Sequence, residues 1–326
     1  MAQPKYSVIV PVYNRPQEVE ELLASLTHQT FKDFEVILVE DGSSVTSEKI
    51  YEKYADQLSI RYFSKFNSGP GPSRNFGFEK ASGNFLVVFD SDCVIPPNYF
   101  QSVEKFIQIS PCDAWGGPDR ASDDFTFLQR AMGYTMSSVL TTGGIRGAKK
   151  GLGWFQPRSF NMGMSRRVFE VTRGFRFDRY AEDIELSIRM KKSGFIVKLI
   201  PDAFVFHKRR TDFQQFYRQV FNFGRGRVQV GKVHPTEIKL VHWFPAFFTL
   251  GLISVPFLLV LELRLAAVAV AAYGIYLMAI LLHSFLVSRS LRVAFLSVPA
   301  AVIQLVGYGL GFLRETVKTY IGKNPI

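Results

Sequence analysis

"YSVIVPVYNRPQEVEELLASLTHQTFKDFEVILVEDGSS", residues 6–44, opens with a β-branched run that Asn14, Arg15 and Pro16 bring to an end. Such a run reads as a buried strand stopped by turn residues. Residues 17–29 then set Val19, Leu22, Leu23 and Leu26 on one face, the spacing of an amphipathic helix. "FEVILVE", residues 34–40, is a second apolar strand closed by "DGSS". Strand, helix and strand in succession make a βαβ unit, so the sheet they begin is mostly parallel.

The pattern continues. Residues 46–57 read as a helix, "SIRYF" (59–63) as a third strand, 72–81 as a helix opened by "NSGPGP", and 85–89 as a fourth strand. In open parallel sheets ligands bind outside the carboxyl ends of the strands. Those ends carry Pro11, Tyr13 and Arg15, then Glu40 and Asp41, then Asp90, Ser91 and Asp92. All are predicted to line one crevice.

Composition divides the 326 residues. Residues 1 to about 238 mix charged and apolar types, whereas 243–261, 265–287 and 293–313 each lack Asp, Glu, Lys and Arg. Each approaches the ~20 residues a helix needs to cross a bilayer. The expected plan is a catalytic domain over 1–210, an amphipathic interface region over 211–239, and membrane helices over 240–326. "YSVIVPVY" is too short for a secretory leader, which predicts a first domain on the cytoplasmic side of a multi-pass inner-membrane protein. Cys93 and Cys112 form no metal or disulfide pattern. The net charge of +11 suits anionic headgroups and phosphorylated substrates better than nucleic acid. Three crossings would leave Arg314, Lys318 and Lys323 outside, against the positive-inside tendency. A re-entrant first segment, containing Pro245 and Pro256, would return them.

Several stretches admit two readings. Asp90 and Asp92 make a polar turn or flank a divalent cation such as magnesium or manganese, which prefers carboxylate and phosphate oxygens. Glu40 and Asp41 cap the next turn or accept from a base or ribose. Arg74 begins a helix, where phosphate is favoured. Glu182 and Asp183 suit the positive end of a helix dipole, or one of them serves as a general base. Residues 141–160 are glycine-rich and basic: Arg146, Lys149, Lys150 and Arg158 suit phosphates and Trp154 a ring, if the loop closes as lids do. Residues 212–230 set Phe213, Phe216, Tyr217, Val220 and Phe221 at helical spacing among arginines, an interfacial helix with aromatics in lipid, one packed on the first domain, or both by different faces.

Taken in order, these stretches resemble the family 2 glycosyltransferases. "YSVIVPVYNR" matches their opening strand, "EDGS" is similar to their "DDGS", "GPSRNFGFEKASGNF" matches the helix after the third strand, "FDSD" the D-x-D motif, and "AEDIELSIRM" the later E-D motif. The resemblance covers roughly residues 5–230 and implies an inverting nucleotide-sugar enzyme of GT-A fold: a Rossmann-like sheet with helices on both faces, followed here by transmembrane helices.

What the resemblance implies for single residues follows the motifs. Pro11, Tyr13, Arg15 and Asp41, with Glu40 beside them, would hold the nucleotide, Arg74 would lie near the nucleotide or diphosphate, and Asp90 and Ser91 near ribose or sugar. Asp92 would carry the metal, with Asp90 and His207 as further candidates. Asp183 would be the base and Glu182 its support. The Q-x-x-R-W motif of processive synthases is broken, because Gln219 follows Arg218, so single-sugar transfer is expected. The expected donor is a UDP- or GDP-sugar and the expected acceptor a lipid-linked saccharide of envelope or exopolysaccharide assembly. Alternatives are a polyprenyl-phosphate sugar synthase and a membrane scaffold with a decayed transferase domain.

Overall fold

Strands and helices alternate in β1 (Tyr6–Val12), α1 (Pro16–Thr27), β2 (Phe34–Asp41), α2 (Glu48–Tyr54), β3 (Ile60–Lys65), α3 (Pro70–Lys80) and β4 (Phe85–Phe89). The structure, a computed structural model, describes residues 3–120, 125–142, 154–207 and 210–320. Helix α3 starts at Pro70, earlier than its sequence signal. Proline is tolerated in the first helical turn, and Gly69 before it takes the left-handed φ of +99°. Then follow β5 (Cys93–Val94), α4 (Tyr99–Ile109), β6 (Ala114–Gly116), β7 (Asp119–Arg120), α5 (Phe127–Ser137), α6 (Val139–Thr142), β8 (Asn161–Ser165), α7 (Arg166–Thr172), α8 (Glu182–Lys192), β9 (Val197–Leu199) and β10 (Val205–His207).

The main sheet has the order β3-β2-β1-β4-β8-β6-β9. β8 runs antiparallel to both its neighbours, and the other pairings are parallel. Alternate residues serve opposite faces, as the two-residue period of a strand requires. Val8, Val10, Val36 and Leu38 join Leu22, Leu23 and Leu26 of α1 on one side. Ile9, Ile37 and Val39 join Phe78 of α3 and Leu186 and Met190 of α8 on the other. Each fully buried leucine contributes roughly 1.5–3 kcal/mol. A smaller sheet, β5-β10-β7, carries the strand after the paired aspartates.

Two compact units divide the chain: Met1–Ser122 with Phe155–Lys208, and Asp123–Trp154 with Arg209–Ile326. The second is helical and holds α5, α6, α9 (Phe213–Val233), α10 (Phe244–Leu261), α11 (Leu263–Ser288) and α12 (Leu291–Tyr320). Residues 125–142 depart from the division expected at 210. Met132 of α5 packs with Phe216, Val220 and Ala300, and Tyr134 with Ile280 and Ala301.

Helix α9 also differs from a helix laid in lipid. Phe216 and Val220 are buried, because small residues bring α12 close. A Cβ on Gly224 would sit 2.1 Å from the Tyr308 carbonyl oxygen, and one on Gly311 2.0 Å from that of Phe221. Such backbone approach is how helices pack where lipid offers no hydrophobic drive. Helices α10, α11 and α12 have 18, 26 and 30 residues, about 27, 39 and 45 Å at about 1.5 Å per residue. All three could cross a membrane by length and composition.

Candidate active site

The ends of β1, β2 and β4 share one edge of the sheet, because the three pair in parallel. Asn14 ties the first two together from a left-handed φ of +53°. Its amide donates to Ser43 Oγ at 2.7 Å, and its Oδ1 accepts from the amides of Ser44 and Val45 at 2.8 and 3.0 Å. Pro11 is half-buried, and Tyr13 leaves the strand 53% exposed, free to stack on a planar ring.

Asp41 is enclosed. Its carboxylate accepts from Lys65 Nζ at 2.5 Å and from the amides of Ser68 and Gly69 at 2.9 and 2.8 Å. Burial pushes its pKa up, but the ammonium and the amides outweigh that and hold it below the ordinary aspartate value. Glu40, expected beside the nucleotide, has no solvent access. Its oxygens accept from Ser43 Oγ, from the Ser47 amide at 2.8 Å and from Tyr62 at 3.3 Å. It holds the loop after β2, because a buried carboxylate must have its partners on hand.

Arg74 is enclosed as well. Its side chain is only 3% exposed, with Nη2 2.7 Å from Asp90 Oδ1 and Nη1 3.0 Å from Glu182 Oε1. The guanidinium lies 5.2 Å from the Phe175 ring centroid. A cation sealed between two carboxylates positions them. Burial, and the charge of Asp183 beside it, raise the Glu182 pKa to about 7 against the opposing pull of Arg74.

Asp92 anchors the fourth strand end. Arg15 Nη1 lies 2.6 Å from its Oδ2 and His207 Nε2 3.1 Å from its Oδ1. That Oδ1 is buried without an aligned hydrogen bond. Burial raises the Asp92 pKa, yet His207 and Arg15 pull it well below the aspartate range. Burial lowers the His207 pKa, but Asp92 more than offsets this and raises it. Stacking on Phe160, centroids 4.7 Å apart, orients the imidazole.

Ligand atoms of Asp92, Cys93 and His207 all lie within 4.8 Å of one another. Burial pushes the Cys93 thiol well up, and its Sγ donates to the Phe160 carbonyl at 3.6 Å. A carboxylate and an imidazole suit magnesium or manganese better than a soft thiol does, so the fit is to Asp92 and His207 beside an unsatisfied buried oxygen. Asp90 is 30% exposed and shares an oxygen with Arg74.

Glu182 and Asp183 open α8 directly after Ala181, which takes a left-handed φ of +57°. That conformation costs a non-glycine residue roughly 1 kcal/mol, and stored strain of this kind clusters at functional sites. Asp183 Oδ1 accepts from the Ile184 amide at 2.8 Å, and Arg158 Nη1 lies 3.5 Å from its Oδ2. The segment before α8 lies on the start of α3: the Gly71 amide donates to the Asp178 carbonyl at 2.9 Å.

The model of the family described as "Glycosyl transferase family 2" matches residues 7–172, which take in all three strand ends. The chain belongs to that family. An uncharacterized glycosyltransferase of Rickettsia bellii is 36% identical over 32% of this chain and 15% of its own length. The poly(ribitol-phosphate) beta-N-acetylglucosaminyltransferase TarS of Staphylococcus aureus is 37% identical over 32% of this chain and 19% of its own. The chain thus spans less than a fifth of the first curated relatives it matches. The mannosyltransferase PcManGT of Pyrobaculum calidifontis, solved with GDP-Man and Mn2+, is similar in fold. Its TM-score is 0.63 at 17% identity, over 96% of this chain and 88% of that one.

Within this family 2 chain, Tyr13, Asp41, Asp90, Ser91, Asp92, Asp183 and His207 all belong to the sheet unit. Arg158 does too, whereas the half-buried Trp154 falls in the helical unit. Arg146, Lys149 and Lys150 lie outside the described residues. Sequence reasoning took Asn14 only as a turn residue and passed over Lys65 and Asn67, whose Nδ2 donates to the Asp41 carbonyl at 2.8 Å. Lys65 was within reach: the rule that strand ends carry chemistry applies to β3, which runs on to Lys65.

Proposed function

We propose that this chain is a membrane-attached inverting glycosyltransferase. It moves one sugar from a UDP- or GDP-linked donor to a lipid-linked saccharide at the cytoplasmic face of a bacterial inner membrane, in envelope or exopolysaccharide assembly. The observation that carries this reading is Asp92: a buried carboxylate at a strand end, oriented by Arg15 and facing a stacked His207. Asp92 and His207 would hold magnesium or manganese, which when bound would neutralise charge on the diphosphate leaving group.

The chain's own residues supply the remainder. Tyr13, exposed at the end of β1, stacks on the base, and the Asp41–Lys65 pair frames the ribose. Asp90, held by Arg74, accepts from ribose or sugar hydroxyls. Asp183 takes the proton of the acceptor hydroxyl on the face opposite the departing nucleotide, as inversion at the anomeric carbon requires. Arg158, with Nη1 3.5 Å from its Oδ2, orients that carboxylate.

A transfer assay with the purified full-length chain, a panel of nucleotide sugars and lipid extracts tests the reading. A labelled sugar should pass to a lipid from one donor, with magnesium or manganese present. Transfer to water or soluble saccharides alone would remove the lipid acceptor.

A further inference from the structure

Inside the helical unit lies a cavity of about 720 Å³, within the roughly 300–1,000 Å³ typical of ligand sites. Its walls come from α6, α9, the start of α10 and the middle of α12, and they are apolar apart from a few groups. Val220 and Leu305 line the interior, while Val139, Leu240, Phe244 and Phe247 stand 62, 83, 42 and 60% exposed at the rim. Close approach of α10 and α12 forms part of the enclosure, since a Cβ on Gly309 would sit 2.4 Å from the Pro245 carbonyl oxygen. Exposed apolar rims on a helical unit able to cross a membrane give a hydrocarbon chain a way in from the bilayer.

The polar groups mark where a headgroup would rest. Arg227 lines the cavity and has no ion-pair partner among the described residues. Gln304 lines it too, is 7% exposed, and its Oε1 is buried without a hydrogen bond. An orphaned buried acceptor costs about 1–3 kcal/mol, and a protonated phosphate oxygen or a headgroup hydroxyl would satisfy it. His242 adds a ring nitrogen already committed, as its Nδ1 accepts from the Lys239 amide at 2.9 Å.

We infer that this cavity binds the hydrocarbon chain of a phosphate-headed lipid, with the phosphate at Arg227 and Gln304. Identifying that lipid with the sugar acceptor rests on the proposed function. Charge selects a phosphate head over a neutral lipid, and depth selects a single flexible chain over a flat surface contact.

The experiment measures equilibrium binding of radiolabelled farnesyl phosphate to the full-length chain in detergent, with no donor present. Dioleoyl phosphatidylglycerol serves as competitor. Wild type should bind farnesyl phosphate saturably, and a tenfold excess of phosphatidylglycerol should displace little of it. Val139→Trp, which fills the rim, and Arg227→Gln, which removes the cation, should each weaken binding at least tenfold while donor-nucleotide binding stays unchanged. Undiminished binding in both variants overturns the assignment, as does equal competition by phosphatidylglycerol, which would make the occupant bulk lipid. A chain that binds farnesyl phosphate through these residues but transfers no sugar to lipid upholds the cavity and overturns the acceptor reading instead.

Discussion

Arg74 Nη1 lies 3.0 Å from Glu182 Oε1, joining a helix that follows the third strand to one that begins 108 residues later. The same guanidinium holds Asp90 at 2.7 Å, so one buried cation sets the separation of two carboxylates. Arg74→Gln leaves both without a counter-charge, and breaking a buried pair from one side costs about 3–5 kcal/mol. Arg74→Lys keeps the charge but loses the planar fork that reaches two acceptors at once. Thermal unfolding in detergent should rank wild type above Arg74→Lys above Arg74→Gln, with transfer activity lost in both. A fully stable, inactive Arg74→Gln would instead make Arg74 a donor ligand.

Glu182 gives the fold a pH dependence of defined sign. Its pKa is raised from 4.5 to about 7, so the folded chain binds the extra proton more readily than the unfolded one. The resulting stability is fully present below the unfolded value and is lost as pH rises through the folded one. Glu182→Gln cannot titrate, so the advantage of wild type over this variant should shrink between pH ~5 and ~8. Melting curves of both across that range are the check. An advantage that grows with pH would mean that Arg74 keeps Glu182 ionised.

The proposed cation site assigns Asp92 and His207 as ligands and Cys93 as a bystander. Asp92→Asn and His207→Ala should each weaken manganese-dependent donor binding by more than the ~10–100-fold that outer partners of a metal site cost. Cys93→Ser should leave it within a few-fold, because the thiol is turned to the Phe160 carbonyl. Calorimetric titration with the donor nucleotide, with and without chelator, reads all three. Donor binding indifferent to chelator in wild type would remove the metal altogether.

Much of this was legible before the structure, for physical reasons that differ by residue. Strands β1, β2 and β4 are buried on both faces, and such strands read as unbroken apolar runs. Asp90 and Asp92 alone read as a polar turn, and they stood out only in the company of the polar ends of the neighbouring strands. A buried bridge and a phosphate-binding arginine look alike at a helix start, so the sequence alone could not show that Arg74 meets Glu182, 108 residues away. Helix α9 was ambiguous in the same way, since an aromatic face serves lipid and protein equally. The signal that it packs on protein lay in Gly224, Gly307 and Gly311, whose meaning appears only once the two helices are side by side.

Asp183 should separate binding from chemistry. Asp183→Asn keeps the shape and the acceptor atom that meets the Ile184 amide but cannot take a proton at neutral pH. Loss of a general base typically costs about 10²–10⁴-fold in rate, so kcat should fall by that order while donor affinity holds. Arg158→Gln, which removes the 3.5 Å contact to Asp183 Oδ2, should lower kcat by less than Asp183→Asn does while donor affinity holds. A parallel loss of donor affinity in Asp183→Asn would place this carboxylate with the donor instead.

Helix packing in the apolar unit offers a paired test. A Cβ on Gly311 would fall 2.0 Å from the Phe221 carbonyl oxygen, whereas one on Gly274 would meet nothing within 4 Å. Backbone cannot step aside as a side chain can, so Gly311→Ala forces α9 and α12 apart, at the cost of about 1–3 kcal/mol seen for overpacking. Gly274→Ala should be neutral or gain up to about 1 kcal/mol, since alanine is the better helix former. Unfolding of both variants in the same detergent compares them directly. Because Arg225 Nε also reaches Glu315 across this contact at 3.1 Å, Gly311→Ala should weaken that pair too. Adding Arg225→Ala should then cost less in the Gly311→Ala background than in wild type. Equal costs in the two backgrounds would mean that the helices do not meet as described.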